Sequence, residues 1–352
     1  MASPANTEAP AIGRSPRPKV AILQKSDGMI TWRSDLVNAF HAAGVTTQVS
    51  NFRAETLAER WSQVTTGKRL LLNPATCRRV ANDLADFSPD LVVLLNYPGL
   101  PASTAAMLRA AISPGTPMVG WLCDQLDVFP SICEPVLDGV YYFDSACQSV
   151  LETAYAGTAA RLDFLPLAAC PRRYPCIPID VSQRLPRLVF AGNCTPSRQP
   201  FFAAYRALGQ PLDLYGPHAG NWPKFWRNRK LSSAALGRVY QKYLINLNLL
   251  QPGNTTNGLN LRAFEIPCAG GLATYPAVPD LARCFVPNKE ILVYENTRQL
   301  ADIVATVSRD PRFALAVTTA GYQRVMNEHT FAHRAARMLA DWLPHHATAP
   351  PP

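Results

Sequence analysis

NGLNLRAFEIPCAGGLATYP, residues 257–276, is the stretch that carries most of the information about the fold of this chain. Its middle part predicts a short helix, and small polar residues precede the helix start. Free backbone N–H groups at such a start attract anions. Gly270 and Gly271 then allow a tight turn, or a close approach of the backbone to a ligand, before a short strand. The stretch therefore predicts a loop, helix, turn and strand of an α/β domain.

Two charged residues of this helix suggest a ligand. Arg262 offers a planar, permanently charged set of hydrogen-bond donors, and Glu265, one turn later, can accept hydrogen bonds from paired hydroxyl groups. A nucleoside diphosphate presents both groups, two phosphates and a ribose diol. The alternative is an Arg–Glu pair at i, i+3 on the surface of a helix that a Gly-Gly turn ends. Taken alone, the stretch favours this alternative.

The sequence around this stretch alternates strands with helices. The predicted strands of the second half are RLVFAG (187–192), PLDLYG (211–216), LINLNLL (244–250) and ILVY (291–294), with helices near 197–208, 233–243, 297–307, 311–326 and 330–343. The predicted strands of the first half are KVAILQ (19–24), TTQVS (46–50), DLVVLLN (90–96), PMVGWL (117–122) and GVYYFD (139–144), with helices near 32–43, 74–86, 103–112 and 145–156. Apolar strands that alternate with helices are typical of parallel sheets covered on both faces.

A proline-rich segment divides the two halves. Five prolines fall within residues 165–186, and such a segment cannot continue a helix or a central strand. The predicted organisation lists a disordered tail (1–17), a first Rossmann-like domain (18–165), a linker (166–186), a second Rossmann-like domain (187–343) and a disordered tail (344–352). Because ligands of such sheets bind beyond the carboxyl ends of the strands, we expect the functional site in a cleft between the domains.

Residues that directly follow predicted strands are the further candidates for this cleft. Asp124 follows PMVGWL, where a carboxylate can take a proton from an acceptor hydroxyl, although a loop or helix-capping Asp is an equal alternative. Asp127 is the weaker candidate for the same role. Gly192 and Asn193 end RLVFAG and can let the backbone approach the phosphates of a ligand, although a plain strand-exit turn is a nearly equal alternative. Arg198, near the next helix start, can reach a phosphate, but we expect it to be solvated.

Composition narrows the classes of protein. The 352 residues are 48% hydrophobic and 17% charged, and the formal net charge is +9, which favours anionic partners such as nucleotides, nucleic acid or an anionic membrane surface. The N-terminus has no apolar signal segment, and no apolar run is long enough to span a membrane, so we expect a cytoplasmic protein.

Metal and redox motifs are missing from the sequence. The nine cysteines form no C-x-x-C pair, which argues against a zinc site or a compact disulfide framework. No Asp-x-Asp triplet is present, so arginines, lysines and helix N-termini would have to stabilise a leaving diphosphate. No Gly-x-Gly-x-x-Gly follows the first strand, and no Gly-Lys-Ser/Thr loop occurs. We therefore expect neither a metal ion nor a resident cofactor.

Several motifs together resemble the CgeB-like glycosyltransferases. They are INLNLL (245–250), RAFEIPCAGG (262–271) and EHTFAHR (328–334), with VFAGN (189–193) and LYG (214–216) at the first two strands of the second half. The resemblance covers about 187–343 and is looser in the first half. It implies a GT-B architecture, which has two Rossmann-like domains that face a cleft, with the nucleotide-sugar donor in the second domain and the acceptor in the first.

The resemblance also implies roles for single residues. Glu265 would bind the ribose, and Arg262 with the nearby backbone would bind the diphosphate. Asn257 stands where retaining GT-B enzymes often carry a Glu eight positions before that carboxylate, so the usual contact to the donor sugar and the stereochemical outcome are open. Asn257 and Gly271 complete the predicted donor site, together with Gly192 and Asn193.

The resulting prediction is a metal-independent, hexosyltransferase-like glycosyltransferase. Its only co-substrate would be a nucleotide-diphosphate sugar, its acceptor is unknown, and a peripheral contact with an anionic membrane is the further partner that its charge allows. Two alternatives remain. One is a nucleotide-sugar epimerase of the same fold. The other is a basic protein that binds nucleic acid or another anionic polymer through NWPKFWRNRK (221–230), although under the main prediction no nucleic acid is expected.

Overall fold

The computed structural model describes residues 17–24, 32–52, 74–97, 100–124, 134–177, 180–217, 230–251 and 253–346. Predictions for Asp127, for nearly all of the basic segment NWPKFWRNRK and for most of both predicted tails lie outside these residues. Within the predicted C-terminal tail, Pro344–His346 form a single 3₁₀ turn.

The first half of the chain forms a six-stranded parallel sheet. Its strands are β1 Lys19–Gln24, β2 Thr46–Asn51, β3 Leu91–Leu95, β4 Met118–Leu122, β5 Gly139–Tyr142 and β6 Arg161–Phe164, in the order β2-β1-β3-β4-β5-β6. Every residue of β3, β4 and β5 is buried, as apolar strands that are covered on both faces require. The sequence analysis did not predict β6, because its four residues are half polar and only partly buried at the sheet edge.

The second half forms a five-stranded parallel sheet. Its strands are β7 Leu185–Ala191, β8 Leu212–Tyr215, β9 Tyr243–Leu247, β10 Ala273–Pro276 and β11 Leu292–Tyr294, in the order β11-β10-β9-β7-β8. Parallel neighbours need crossover connections, and the helices of the chain supply them.

All the predicted helices are present, with ends that differ by a few residues, and Leu281–Cys284 is a further short helix that the sequence analysis did not predict. They are α1 Arg33–Ala42, α2 Pro74–Phe87, α3 Ala102–Ala110, α4 Gln148–Ala154, α5 Gln199–Ala207, α6 Ser233–Lys242, α7 Arg262–Cys268, α8 Leu281–Cys284, α9 Thr297–Arg309, α10 Pro311–Glu328 and α11 Phe331–Trp342. A 3₁₀ turn, Ser145–Cys147, leads into α4.

The last helix, α11, returns to the first sheet. The ring of Phe331 stacks on Trp32 beside α1 with 5.3 Å between centres, and the hydroxyl of Tyr141 in β5 donates to Asp341 at 2.7 Å. One buried apolar cluster accordingly continues from the first sheet through α11 into the second. The predicted domain boundaries remain predictions, but this helix belongs by its contacts to the first domain.

The EHTFAHR motif ties the linker to α11. Arg334 is buried, and its guanidinium donates to the carbonyl groups of Pro166 and Leu167 at 2.7 and 2.8 Å. The Arg334 nitrogen that donates to Leu167, Nη2, also donates to His329 Nδ1 at 2.8 Å. Burial, and then the nearby Arg334 charge, lower the pKa of His329 to about 3, so this imidazole stays neutral. The motif therefore fixes the linker, which forms part of the cleft.

Candidate functional site

A cavity of about 530 Å³ lies between the two sheets, where the carboxyl ends of their strands meet. Asn96 and Asp124 follow β3 and β4 on one side, and Gly192, Asn193 and Gly216 follow β7 and β8 on the other. Arg262 and Glu265 of α7 also line it, as do linker residues. The cavity is where parallel α/β sheets bind their ligands. It therefore brings together Asp124, Arg262, Glu265, Gly192 and Asn193.

Arg262 begins α7 and carries an unused donor. Its guanidinium carbon lies 5.3 Å from the ring centre of Phe190, and among the described residues its buried Nη1 has no hydrogen-bond partner. A buried donor without an acceptor costs free energy, and an anionic oxygen from a ligand in the cavity would satisfy it. This arrangement fits the predicted contact with a diphosphate.

Gly192 is constrained by Arg262. A Cβ at Gly192 would lie 3.1 Å from the Arg262 guanidinium carbon and equally close to the Phe190 ring. On the neighbouring strand, Gly216 has a φ of +112°, and a Cβ there would lie 2.4 Å from the Gly192 carbonyl oxygen. Larger residues at either position would displace the backbone or the guanidinium. The two strand ends therefore keep open the space beside Arg262.

Glu265 lies one turn after Arg262 and is half-buried. Its Oε1 accepts a hydrogen bond from the Tyr174 hydroxyl at 2.9 Å. Burial raises the pKa of Glu265, whereas the Tyr174 hydrogen bond and the charge of Arg262 lower it. The Tyr174 hydrogen bond does not occupy Oε2. Arg262 and Glu265 are both half-buried and line the cavity, and their binding of a ligand stays a prediction.

Asp124 occupies the opposite wall. Its Oδ2 accepts a hydrogen bond from Asn96 at 3.1 Å, and its Oδ1 accepts one from Asn254 at 3.4 Å. Burial raises the pKa of Asp124, and the two amide hydrogen bonds lower it. A carboxylate with a raised pKa is a better proton acceptor than an ordinary aspartate. Asp124 thus lines the cavity as the strand-end pattern predicted, and its role as a base stays a prediction.

The structure does not bring Asn257 or Gly271 into the cavity. The Asn257 backbone N–H donates to Asp144, and its side-chain amide donates to Ser145 Oγ at 3.0 Å, so it contacts the first domain instead. A Cβ at Gly271 would meet the Ile266 side chain at 2.9 Å, which places this residue against the core beneath α7. Loop and turn positions give no periodic signal for what a residue contacts. The prediction for Asn257 therefore depended on the resemblance, and that for Gly271 on the freedom of a Gly-Gly turn to approach a ligand.

Three site residues were missed. Asn96 is the last residue of the predicted strand 90–96, so a search of the strand ends, which selected Gly192 and Asp124, would also have selected it. Tyr174 and Arg173 lie in the proline-rich linker, which the sequence analysis treated only as a spacer.

Arg198 was expected to be solvated but is buried, where it donates to the carbonyl groups of Asn193 and Leu249 at 2.7 and 3.1 Å. Burial, and then the charge of Arg262, lower the pKa of Arg198 to about 10.

The described ranges contain neither a metal-binding cluster nor a membrane helix. Within these ranges no three His, Cys, Asp or Glu side chains gather closely enough to hold a metal ion. In the same ranges no helix is both long and apolar enough to cross a bilayer.

Part of the second half of the chain is similar to a known protein family. Residues 198–340 match the family described as glycosyl transferase-like, and this region contains Arg262, Glu265 and most of α11. No curated protein matches the chain significantly.

Solved structures share the fold of the whole chain. Sucrose-phosphate synthase from Thermosynechococcus elongatus is 14% identical with a TM-score of 0.64, and the match covers 95% of this chain and 100% of that one. Anabaena HepE, in complex with UDP and glucose, is 12% identical with a TM-score of 0.62, over 94% and 100% of the two chains. A glycosyltransferase from Rickettsia africae is 10% identical with a TM-score of 0.64, over 94% and 99%. These likenesses confirm the predicted GT-B architecture.

Proposed function

We propose that this protein is a glycosyltransferase that moves a sugar from a nucleotide-diphosphate sugar to an acceptor hydroxyl. One observation carries the proposal. One cavity at the strand ends holds a carboxylate and a buried arginine N–H group that has no partner among the described residues on one wall, and a second carboxylate on the other. A donor and an acceptor would meet between these walls.

The second domain binds the donor in this proposal. Arg262 binds the diphosphate, since its Nη1 is free to donate to a phosphate oxygen. Glu265 accepts hydrogen bonds from the ribose diol, and Tyr174 holds the carboxylate in place. Gly192 and Asn193 allow the phosphates to approach the strand end. Because structural neighbours were solved with UDP, a UDP-sugar is the first donor to test.

The first domain contributes the base. When the acceptor oxygen attacks the anomeric carbon of the donor, a carbon–oxygen bond forms and the bond to the diphosphate breaks. The acceptor proton passes to the Asp124 carboxylate, and the electron pair of the broken bond leaves with the nucleoside diphosphate, whose developing charge Arg262 stabilises. Asn96 orients Asp124 for this step.

Five narrower features belong to the same proposal. The motifs quoted above support a CgeB-like subfamily and a hexosyltransferase-type reaction. The donor site is proposed to work without a divalent metal ion, with arginine in its place. We further propose a cytoplasmic location and, from the net charge of +9, a peripheral contact with anionic membranes.

Nucleotide binding by calorimetry tests the proposal directly. Wild-type protein should bind UDP. Arg262→Ala should lower the affinity for UDP by about tenfold to a hundredfold, while the affinity for uridine changes little. Arg187→Ala is the matched control, since Arg187 is half-exposed and pairs only loosely with Asp213 at 3.9 Å. Equal UDP affinity of both variants would contradict the proposed donor site. A loss of more than about tenfold on addition of EDTA would contradict metal independence.

A further inference from the structure

Asp144 connects the two domains through its carboxylate. It follows β5 of the first domain and is fully buried. One of its oxygens caps the 3₁₀ turn by accepting from the Ala146 N–H at 2.9 Å. Across the domain boundary, the carboxylate also accepts from the backbone N–H groups of Thr256 and Asn257, at 2.7 and 3.1 Å. A single buried side chain thereby binds the loop that precedes α7.

The second domain returns a similar contact. Asp280, which is also buried, accepts from the Ser145 N–H at 2.7 Å. The Asn257 side chain donates to Ser145 Oγ at 3.0 Å, and the Asn257 carbonyl accepts from the Asp280 N–H at 3.1 Å. Each domain thus presents a buried carboxylate to the backbone of the other. We call Asp144, Ser145, Asn257 and Asp280 the interdomain latch.

Gly258 allows the latch to close. A Cβ at this position would lie 2.8 Å from the Phe143 carbonyl oxygen and 3.0 Å from the Asp144 Cα. Both obstacles are backbone atoms, which cannot move aside as the end of a side chain can. Any larger residue would hold the loop away from the first domain.

The loop that the latch holds also reaches the site. Residues 253–261 include Asn254, whose amide donates to Asp124 across the cavity, and they end where Arg262 begins α7. We propose that Asp144 is a positioning residue, which acts through the interdomain latch to hold this loop so that Asp124 and the donor-binding wall stay in register. Only the expected effect on turnover depends on the proposed glycosyltransferase function.

Directional hydrogen bonds suit this role better than apolar contact. Apolar surfaces can slide past each other at little cost, whereas charge-assisted bonds to backbone N–H groups weaken steeply with distance and angle. Reacting groups need such accuracy, since a displacement of about 1 Å can lower the rate by about a hundredfold. Position 257, which the resemblance assigned to the donor, serves the domain interface here.

Amide hydrogen exchange of the free protein tests the latch without any substrate. In Asp144→Asn, the segment 253–261 should exchange about tenfold faster or more, because the charged acceptor is lost and the new amide opposes the N–H groups. Gly258→Ala, which removes no hydrogen-bonding group, should give the same result. In both variants the radius of gyration from X-ray scattering should rise.

A matched control separates the latch from a general loss of stability. Asp138 also accepts from a distant backbone N–H, that of Met118 at 2.7 Å, but both residues lie in the first domain. Asp138→Asn should leave exchange in 253–261 unchanged. Wild-type exchange of this segment in both Asp144→Asn and Gly258→Ala would overturn the latch, whatever the protein catalyses.

Turnover of a UDP-sugar and affinity for UDP together test the positioning role of Asp144. Arg262 and Glu265 stay anchored in α7, so UDP affinity should change by less than about threefold in Asp144→Asn, while turnover of a UDP-sugar falls roughly tenfold to a hundredfold. Equal losses in both quantities, or full turnover with a loosened loop, would overturn the positioning role. Absence of UDP binding in the wild type would instead contradict the proposed function and leave the exchange result standing.

Discussion

The two carboxylates that face each other across the cavity are alike in burial and differ in their partners. Burial raises the pKa of both Glu265 and Asp124. Glu265 receives a phenol hydrogen bond from Tyr174 and lies near the charge of Arg262. Asp124 receives hydrogen bonds from two neutral amides, Asn96 and Asn254, one from each domain.

This difference separates binding from proton transfer. The charge of Arg262 partly offsets the burial that raises the pKa of Glu265, and the ionised carboxylate is suited to accept hydrogen bonds from hydroxyl groups. A carboxylate that only amides contact is oriented but less strongly held in its ionised form, so it can take up a proton as bonds change. We therefore expect substitutions of the two residues to alter different measured quantities.

The largest effect is expected for turnover of Asp124→Asn. Loss of a general base should lower the rate of sugar transfer by about a hundredfold or more, while UDP affinity stays close to that of the wild type. UDP release from a UDP-sugar in the presence of an accepted acceptor measures the rate, and calorimetry measures the affinity. Unchanged turnover would assign Asp124 to the loop structure alone.

The second effect concerns UDP affinity of Glu265→Gln. The variant keeps the shape of the side chain but loses charge-assisted hydrogen bonds worth roughly 1.5–3 kcal/mol. UDP affinity should fall by about tenfold to a hundredfold. The affinity for 2′-deoxy-UDP should fall by a smaller factor on the same substitution. Glu295→Gln, an exposed position of the same domain, serves as the control. An equal effect on UDP and its deoxy analogue would separate Glu265 from the ribose.

Much of this comparison was accessible from the sequence. Buried strands are recognisable in the sequence as apolar, β-branched runs. The residues at their carboxyl ends lie at one edge of a parallel sheet, and this rule selected Asp124 and Gly192. Arg262 and Glu265 follow from their helix and from the resemblance. Asn96 was accessible by the same rule and was overlooked.

Other parts depend on contacts between residues that are far apart in the chain. Tyr174 reaches Glu265 from the linker, and α11 lies on the first domain because Phe331 meets Trp32 there. The direction of Asn257 is set by Asp144 and Ser145, more than a hundred residues earlier. Local secondary-structure propensity does not depend on residues that are distant in the chain. The sequence therefore predicts helices, strands and strand ends more accurately than it predicts loops and contacts between domains.

A smaller effect is expected in the pH dependence of Asn254→Ala. Turnover requires ionised Asp124, so it should rise with pH through the raised pKa of this carboxyl group. The Asn254 hydrogen bond lowers that pKa, and its removal should move the acid limb of the pH–rate profile to higher pH. Asp124→Asn should lose this limb altogether. A limb that stays in place in Asn254→Ala would mean that the amide does not act on Asp124.

The smallest effect is expected in thermal stability, where Glu265 opposes folding. Because its pKa is higher in the folded than in the unfolded protein, the folded state binds more protons between the usual and the raised value. Stability therefore falls as pH rises through this window, and the deficit is complete above it. Glu265→Gln lacks the titrating group, so at pH 7 its Tm should exceed that of the wild type by on the order of 2 °C.

That advantage should vanish in acid, below the usual pKa of a glutamic acid, where both proteins are neutral at this position. Calorimetric melting of the two proteins from acid to neutral pH measures this difference in Tm. The same substitution would then lower the affinity for UDP and stabilise the free protein. This pattern is typical of a carboxylate that is buried in order to bind a ligand. A lower Tm at pH 7 would instead make Glu265 and Arg262 a stabilising ion pair, and the contrast with Asp124 would disappear.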